Sequence, residues 1–336
     1  MAEVATEAEG TRAEDRGSGA ALRTRLISTG ASMLALAIAV AFFSVKSDRF
    51  LSGPNFSLIL QQVMVLGTLA IGQTLVILTA GIDLSCGLVM ALASIVMTKL
   101  AVHNGVAPLL AILIGLLVAV AFGALNGGLV TGLRLPPFIV TLGTLDIAYA
   151  LTHIYSNDQT ITNLPSALTW LGTTFKVGNT AVAYGSVLMF VLFGLFAFVL
   201  RSTAGGRHIY AVGDNPEAAR LTGIHTSRVL LAVYATAGLM YGVAGLLLVG
   251  YTNTGDPQAG LTDNLDAITA VVIGGTSLFG GRGGVLGTLI GALLVGVIRN
   301  GLQLIGVDSI YQVLITGILV IAAVAVDQLA RGRLRS

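Results

Sequence analysis

From residue 27 to residue 329 the chain is a succession of apolar stretches, each about 20 residues long, separated by short polar joints. A helix of about 20 apolar residues spans the hydrocarbon core of a bilayer. Backbone polar groups have no water partner there, so each stretch must be a helix. Ten stretches meet the requirement: roughly 27–45, 56–80, 84–102, 106–133, 137–155, 180–200, 227–251, 264–280, 284–305 and 309–329. Only 10% of the residues are charged, against about a quarter in a soluble domain. The expected fold is all-α: a polytopic membrane bundle of about ten transmembrane helices. The 43 glycines suit helices whose backbones approach closely.

The distribution of Lys and Arg orients the bundle, since cytoplasmic loops carry the excess. With the N-terminus inside, only Lys46, Arg49, Lys99 and Lys176 fall outside, and Arg299 lies within a span. Both termini and the loop 201–228 are then cytoplasmic. The long loop 156–179 is outside, with Tyr155 and Trp170 suited to the interface. Residues 1–26 are polar and aperiodic and read as a disordered cytoplasmic tail. Residues 27–331 form the membrane domain, and 332–336 a second cytoplasmic tail.

The longest polar run is Arg201 to Arg228, between the sixth and seventh stretches. It contains a short capped helix. Asn215 is a good N-cap, Pro216 occupies the first helical position, where its missing N–H costs nothing, and Glu217 suits the positive end of the helix dipole. Ala218, Ala219 and Leu221 propagate the helix, Arg220 flanks it, and Gly223 ends it. Such a helix cannot bury itself in lipid. Its small-residue face is shaped to dock into a partner outside the membrane.

Motifs for chemistry are missing. There is no GxxxxGK[ST], HExxH, GxSxG or CxxC, so an enzymatic role has nothing to stand on. The single cysteine, Cys86, excludes an internal disulfide, and the four histidines show no metal-ligand spacing. Nothing points to nucleic acid. Asp83 and Asp146 are the carboxylates expected at depth. Asp83 lies in the break Gly81-Ile82-Asp83-Leu84-Ser85. It either caps the third span or lines a polar pathway. Asp146, midway along the fifth span, is expected to pair with Arg299 or to face a cavity alone. Gln73, Asn126, Asn300 and Gln303, with Gln61 and Gln62, are amides in apolar segments, either interhelical glue or pathway lining. Pro136-Pro137 marks the start of the fifth span. The glycine-rich stretch 274–284 reads as a tight turn between helices.

Four stretches carry a resemblance: AGIDLSCG at 80–87, GALNGGLVTGLRLPPFIVTLGT at 123–144, GRHIYAVGDNPEAARLTGI at 206–224 and ITAVVIGGTSLFGGRGGVLGTLIGAL at 268–293. Together they make the chain resemble the permease subunits of bacterial monosaccharide ABC importers, over about 50–330. Ala80 and Cys86 stand where that family usually has Gly and Val, and Asp214 where it usually has a second Gly. The resemblance implies a permease pair, a homodimer or pseudo-dimer, in the bacterial cytoplasmic membrane. It implies ABC ATPase subunits that hold ATP and magnesium, and an extracytoplasmic sugar-binding protein; this chain itself would need no cofactor. It also implies that Asp214, Asn215, Pro216, Glu217, Ala218, Ala219, Arg220 and Gly223 form the helix that couples to the ATPase. The expected substrate is a monosaccharide, ribose or fructose leading. An ion-coupled secondary transporter is the competing expectation. It would favour several carboxylates in the membrane and would need no docking helix.

Overall fold

The computed structural model describes residues 30–335; the tail expected over 1–26 lies outside them. The described chain is mostly helical. In order come α1 (Gly30–Lys46), α2 (Gly53–Leu78), α3 (Cys86–Val102), α4 (Pro108–Gly132) and α5 (Pro137–Ser156). A short α6 (Ser166–Thr169) and a strand pair, β1 (Thr174–Val177) and β2 (Thr180–Ala183), lead into α7 (Tyr184–Ser202). Then follow α8 (Ala204–Asp214), α9 (Pro216–Leu221), α10 (Thr226–Thr252), α11 (Asp263–Ile273), α12 (Val285–Leu304) and α13 (Ser309–Arg335). Six of these, α2, α4, α5, α7, α10 and α12, are long and apolar enough to cross a membrane, and α1, α3 and the first part of α13 are shorter apolar helices. The protein is a polytopic helical membrane protein.

Helix starts follow local chemistry. Ser52 caps α2, its hydroxyl accepting from the Asn55 N–H. Proline stands in the first turn of α2, α4 and α5, where the first N–H groups have no helical partner anyway. α2 is the central helix, buried from Val63 to Leu78, with α10, α12, α7 and α11 packed around it. α4 and α10 make the most intimate crossing. A Cβ placed on Gly238 would stand 2.3 Å from the Ala119 carbonyl oxygen, and one on Gly123 2.2 Å from that of Tyr234. In lipid no hydrophobic force draws helices together, so such backbone approach supplies the dispersion contact that does.

The crossing expected over 264–280, short and broken by glycines, is built differently. α11 has 11 residues, a rise of about 16 Å, roughly half the hydrocarbon thickness. The segment before it, 253–262, is non-helical. Gly255 makes an antiparallel bridge with Ile161. Gly260 packs on Gly87 at the start of α3, and Asn264 Nδ2 donates to the Leu84 carbonyl at 3.0 Å. After α11 the glycine-rich turn runs back to α12, as its composition predicts. The segment 253–262 is half-buried, with Gly255, Pro257 and Gly260 buried and Asn253, Gln258 and Leu261 exposed.

The loop 156–179 also holds more order than its composition suggests. β1 and β2 pair antiparallel, Thr174 opposite Ala183 and Val177 opposite Thr180, around a Gly178-Asn179 turn. Gly-Asn between two strand-forming runs is the signal for such a hairpin. It leads into α7, where Trp170 stacks on Tyr184 with centroids 5.2 Å apart.

The α4–α10 contact makes a direct prediction. Gly238→Leu forces a side chain into the Ala119 backbone, and overpacking of this kind costs about 1–3 kcal/mol. The purified variant should melt earlier in detergent than the parent. Gly128→Leu, with nothing within 4 Å of its Cβ, should melt with the parent.

Candidate functional site

α2 stops at Leu78 and α3 starts at Cys86, and the seven residues between them gather side-chain hydrogen bonds from several helices. Asp83 and Ser85 are both fully buried. Asp83 Oδ1 accepts from the Ser85 N–H at 2.9 Å and from the Ser85 hydroxyl at 2.6 Å. Asp83 therefore serves the N–H of the N-cap residue itself; the cap position is held by Ser85, two residues later than the expected cap. The Tyr241 hydroxyl of α10 lies 3.2 Å from Asp83 Oδ2 and 3.4 Å from Gln73 Oε1 of α2. Asn126 Nδ2 of α4 donates to the Ser85 hydroxyl at 3.1 Å, and Thr144 of α5 donates to Asn126 Oδ1 at 2.7 Å. Thr141, also of α5, donates to the Ile82 carbonyl at 3.1 Å.

One interruption in the backbone thus ties α2, α3, α4, α5 and α10 together. A carboxyl group sealed in an apolar medium without donors would be very costly; here donors from the backbone, a serine and a tyrosine meet both its oxygens. Gln73, Asp83 and Asn126, three of the amides and carboxylates singled out in the sequence, converge on this cluster. They are 0–1% exposed, so in this conformation they line no open channel.

The other three do not join them. Asn300 is buried on α12 and Gln303, one turn on, is exposed. Asp146 is exposed on α5, on one face with Leu142, Gly143, Ile147 and Tyr149. The expected pairing of Asp146 with Arg299 is not formed. Arg299 Nη1 instead lies 3.0 Å from Asp266 Oδ2, because α11 packs on α12 and carries Asp266 in its first turn. Asp266 and Asp263 were missed because a span starting near 264 would have put them at its wet end. The half-length α11 sets them inside the bundle. The signal available was Asp-Asn-Leu-Asp just ahead of an apolar run, with a lone arginine in the next span.

At the end of the bundle that carries 201–228, α9 stands out into solvent. Asn215 Oδ1 accepts from the N–H groups of Glu217 and Ala218 at 3.1 and 3.0 Å. Pro216 is in the first turn. The helix ends in a Schellman motif, with the Ile224 N–H on the Ala219 carbonyl, the Gly223 N–H on that of Arg220, and Gly223 at φ +88°. Ala219 is buried, whereas Asp214, Asn215, Glu217, Ala218, Arg220 and Leu221 are exposed. Arg220 forms a two-pronged pair with Glu217 at 2.6 and 3.1 Å. That hydrogen bond holds the Glu217 carboxyl below its usual range and raises Arg220 in turn. Both are charged at neutral pH, and the pairing is lost only as pH falls through the lowered Glu217 value. Among the described residues no cluster of three His, Cys, Asp or Glu could hold a metal.

Two tests follow from the buried cluster. Thr144→Val leaves Asn126 Oδ1 without its donor and should destabilise the protein by about 1–3 kcal/mol, whereas Thr131→Val, whose hydroxyl bonds only its own helix, should not. Ala80 sits at φ +60°, a left-handed conformation that costs a residue with a Cβ about 1–2 kcal/mol. Ala80→Gly should raise the melting temperature in detergent.

Residues 55–324 match the family described as branched-chain amino acid transport system / permease component. Over 297 residues the chain is 46% identical to a fructose import permease protein of Rhizobium meliloti, covering 87% of this chain and 82% of that one. It is 41% identical to a ribose import permease protein of Bacillus subtilis, covering 88% and 91%. It is 38% identical to the ribose import permease protein of Escherichia coli K12, covering 88% and 92%. A glycine would relieve the φ of Ala80, and position 214, exposed, has room for the Asp side chain. On the match of most of its length, the chain belongs to this family of transport-system permease components.

Proposed function

We propose that the chain is the permease subunit of an ATP-driven monosaccharide importer, working as a homodimer with two ATPase subunits and an extracytoplasmic sugar-binding protein. The observation that carries the reading is α9. A capped helix with an exposed Ala218, between two membrane helices, is a plug for a cleft in a soluble partner. The relatives named as fructose and ribose import permeases support the sugar class, with fructose or ribose as the substrate. They also favour an ATP-driven importer over ion coupling.

In this reading ten segments cross the bacterial inner membrane, with both termini cytoplasmic. Nine cross as helices, and one crosses as the non-helical segment 253–262 followed by α11. The positive residues of 201–228 then lie inside, as the charge rule requires. A second permease copy stands across the pathway from the exposed face of α5. Asp146 would be costly against lipid and instead faces the shared pathway, with Gln303 a further lining candidate. Gln73, Asp83 and Asn126 stand behind that surface, and Asn300 lies apart from it on α12.

The ATPase subunits hold ATP and magnesium. Their closure draws the paired α9 helices together, and the helical bundles rock between outward- and inward-open forms. The pathway needs only weak polar contacts, because the binding protein supplies affinity and delivers the sugar at high local concentration.

The double variant Glu217→Arg, Ala218→Trp tests the docking role. Both side chains are exposed, so the permease should still reach the membrane. Filling a docking cleft removes a central contact of the interface, so capture of the ATPase and sugar uptake should each fall by about tenfold or more. Normal uptake would show that α9 is not the coupling element.

A further inference from the structure

α9 touches the rest of the chain mainly through its neighbours, and α8 makes one contact that its sequence does not explain. Gly213 is buried in the last turn of α8. A Cβ there would stand 1.8 Å from the Leu78 carbonyl oxygen and 2.8 Å from the Gly281 nitrogen. The Gly281 N–H itself donates to the Leu78 carbonyl at 3.0 Å. A Cβ on Gly280 would lie 2.6 Å from the Gly213 oxygen and 2.8 Å from the Ala80 nitrogen, and one on Gly281 2.9 Å from the Asp214 Cα. One turn back along α8, the Tyr210 hydroxyl donates to the Gly283 carbonyl at 2.9 Å. The Gly213–Asp214 peptide is therefore gripped, backbone to backbone, between the end of α2 and the glycine turn before α12.

From this we infer that Gly213, Gly281 and the Leu78 carbonyl form the joint that passes movement of α9 to the Asp83 break and through it to α5, with Gly213 as a positioning residue of transport. The inference rests on α9 being the coupling helix. Its first half is the contact just described. Its second half is the short path from Leu78 to Ile82 and Asp83, which Thr141 and Thr144 tie to α5. Backbone contact without side chains leaves no slack to absorb a displacement, whereas long side chains would rotate. The asymmetry at 213–214 fits: Asp214 carries an exposed side chain one residue from a position with room for none.

Gly213→Ala is a discriminating change. Helix propensity alone predicts that it stabilises α8; the joint predicts that it spreads the contact. The reporter is Gly143→Cys on the exposed face of α5, where a Cβ meets nothing within 4 Å. The sole natural cysteine, Cys86, is buried. In the assembled permease–ATPase complex, labelling of Cys at 143 by a water-soluble maleimide is compared without nucleotide and with ATP and vanadate.

The parent reporter should show two different rates. With Gly213→Ala added, the ATPase should still co-purify, but the two rates should converge. Uptake of fructose or ribose should fall by about tenfold, within the range by which such contacts bias a two-state element. Gly205→Ala, on the same helix with only Thr203 Oγ1 near at 3.7 Å, should behave as the parent. Tyr210→Phe removes a hydroxyl and no carbon; it should give a loss of about threefold, and decides the matter if Gly213→Ala does not reach the membrane. Retained rate differences in assembled Gly213→Ala, unchanged uptake in Tyr210→Phe, or equal rates in the parent would each overturn the joint. Failure of the α9 variant to lose the ATPase would instead overturn the coupling reading beneath it.

Discussion

A helix that stops inside a membrane leaves carbonyl and N–H groups with no water to answer them. The break after Leu78 is where this chain meets that constraint, and much of the bundle is arranged around the answer. Asp83 accepts from Ser85 and Tyr241, Ser85 accepts from Asn126, and Asn126 accepts from Thr144. Tyr241, Asn126 and Thr144 come from different helices, so α10, α4 and α5 must hold their register for the break to exist at all. Half-satisfied, such a cluster would be worse than an apolar core. Apart from Gln73 Nε2 and the Tyr234 hydroxyl, which find no partner among the described residues, its groups are bonded, and they give the bundle one centre and a defined bend in the chain.

The second recurring device is the missing side chain. α4 meets α10 where Ala119 and Gly123 face Tyr234 and Gly238, and α8 meets the end of α2 at Gly213. Contact between backbones is short and stiff. It holds helices together in lipid, where burial alone gives no drive, and it transmits position. The same stiffness that anchors α10 on α4 is what makes α8 a lever at its other end. The two devices meet between Leu78 and Asp83, where the gripped carbonyl and the bonded carboxylate are five residues apart.

Much of this was legible in the sequence, and the rest failed for identifiable reasons. Asn215-Pro216 and Gly223 dictate a short capped helix by local chemistry alone, and α9 runs between them. Pro136-Pro137 marks the start of α5 in the same way. Six long apolar helices and three shorter ones emerged from apolar length. The segment 264–280 failed as a full crossing because α11 stops at Ile273, and the residues ahead of it, 253–262, are mostly polar and give hydropathy nothing to read. That error hid Asp266, and with it the partner of Arg299. Which amides converge and which stay apart also lay beyond pattern reading. Gln73 and Asn126 meet at Asp83, Asn300 is buried elsewhere and Gln303 is exposed, because helix rotation about its axis is set by packing.

The central claim is that this bundle moves a sugar when an ATPase pulls on α9. Its most direct test is ATP hydrolysis in proteoliposomes that hold the permease and its candidate ATPase, with binding protein loaded with fructose, ribose and other monosaccharides in turn. The account predicts that hydrolysis rises with one of these sugars on the outer side and not with unloaded binding protein. An assembled complex whose hydrolysis responds to none of them would contradict it.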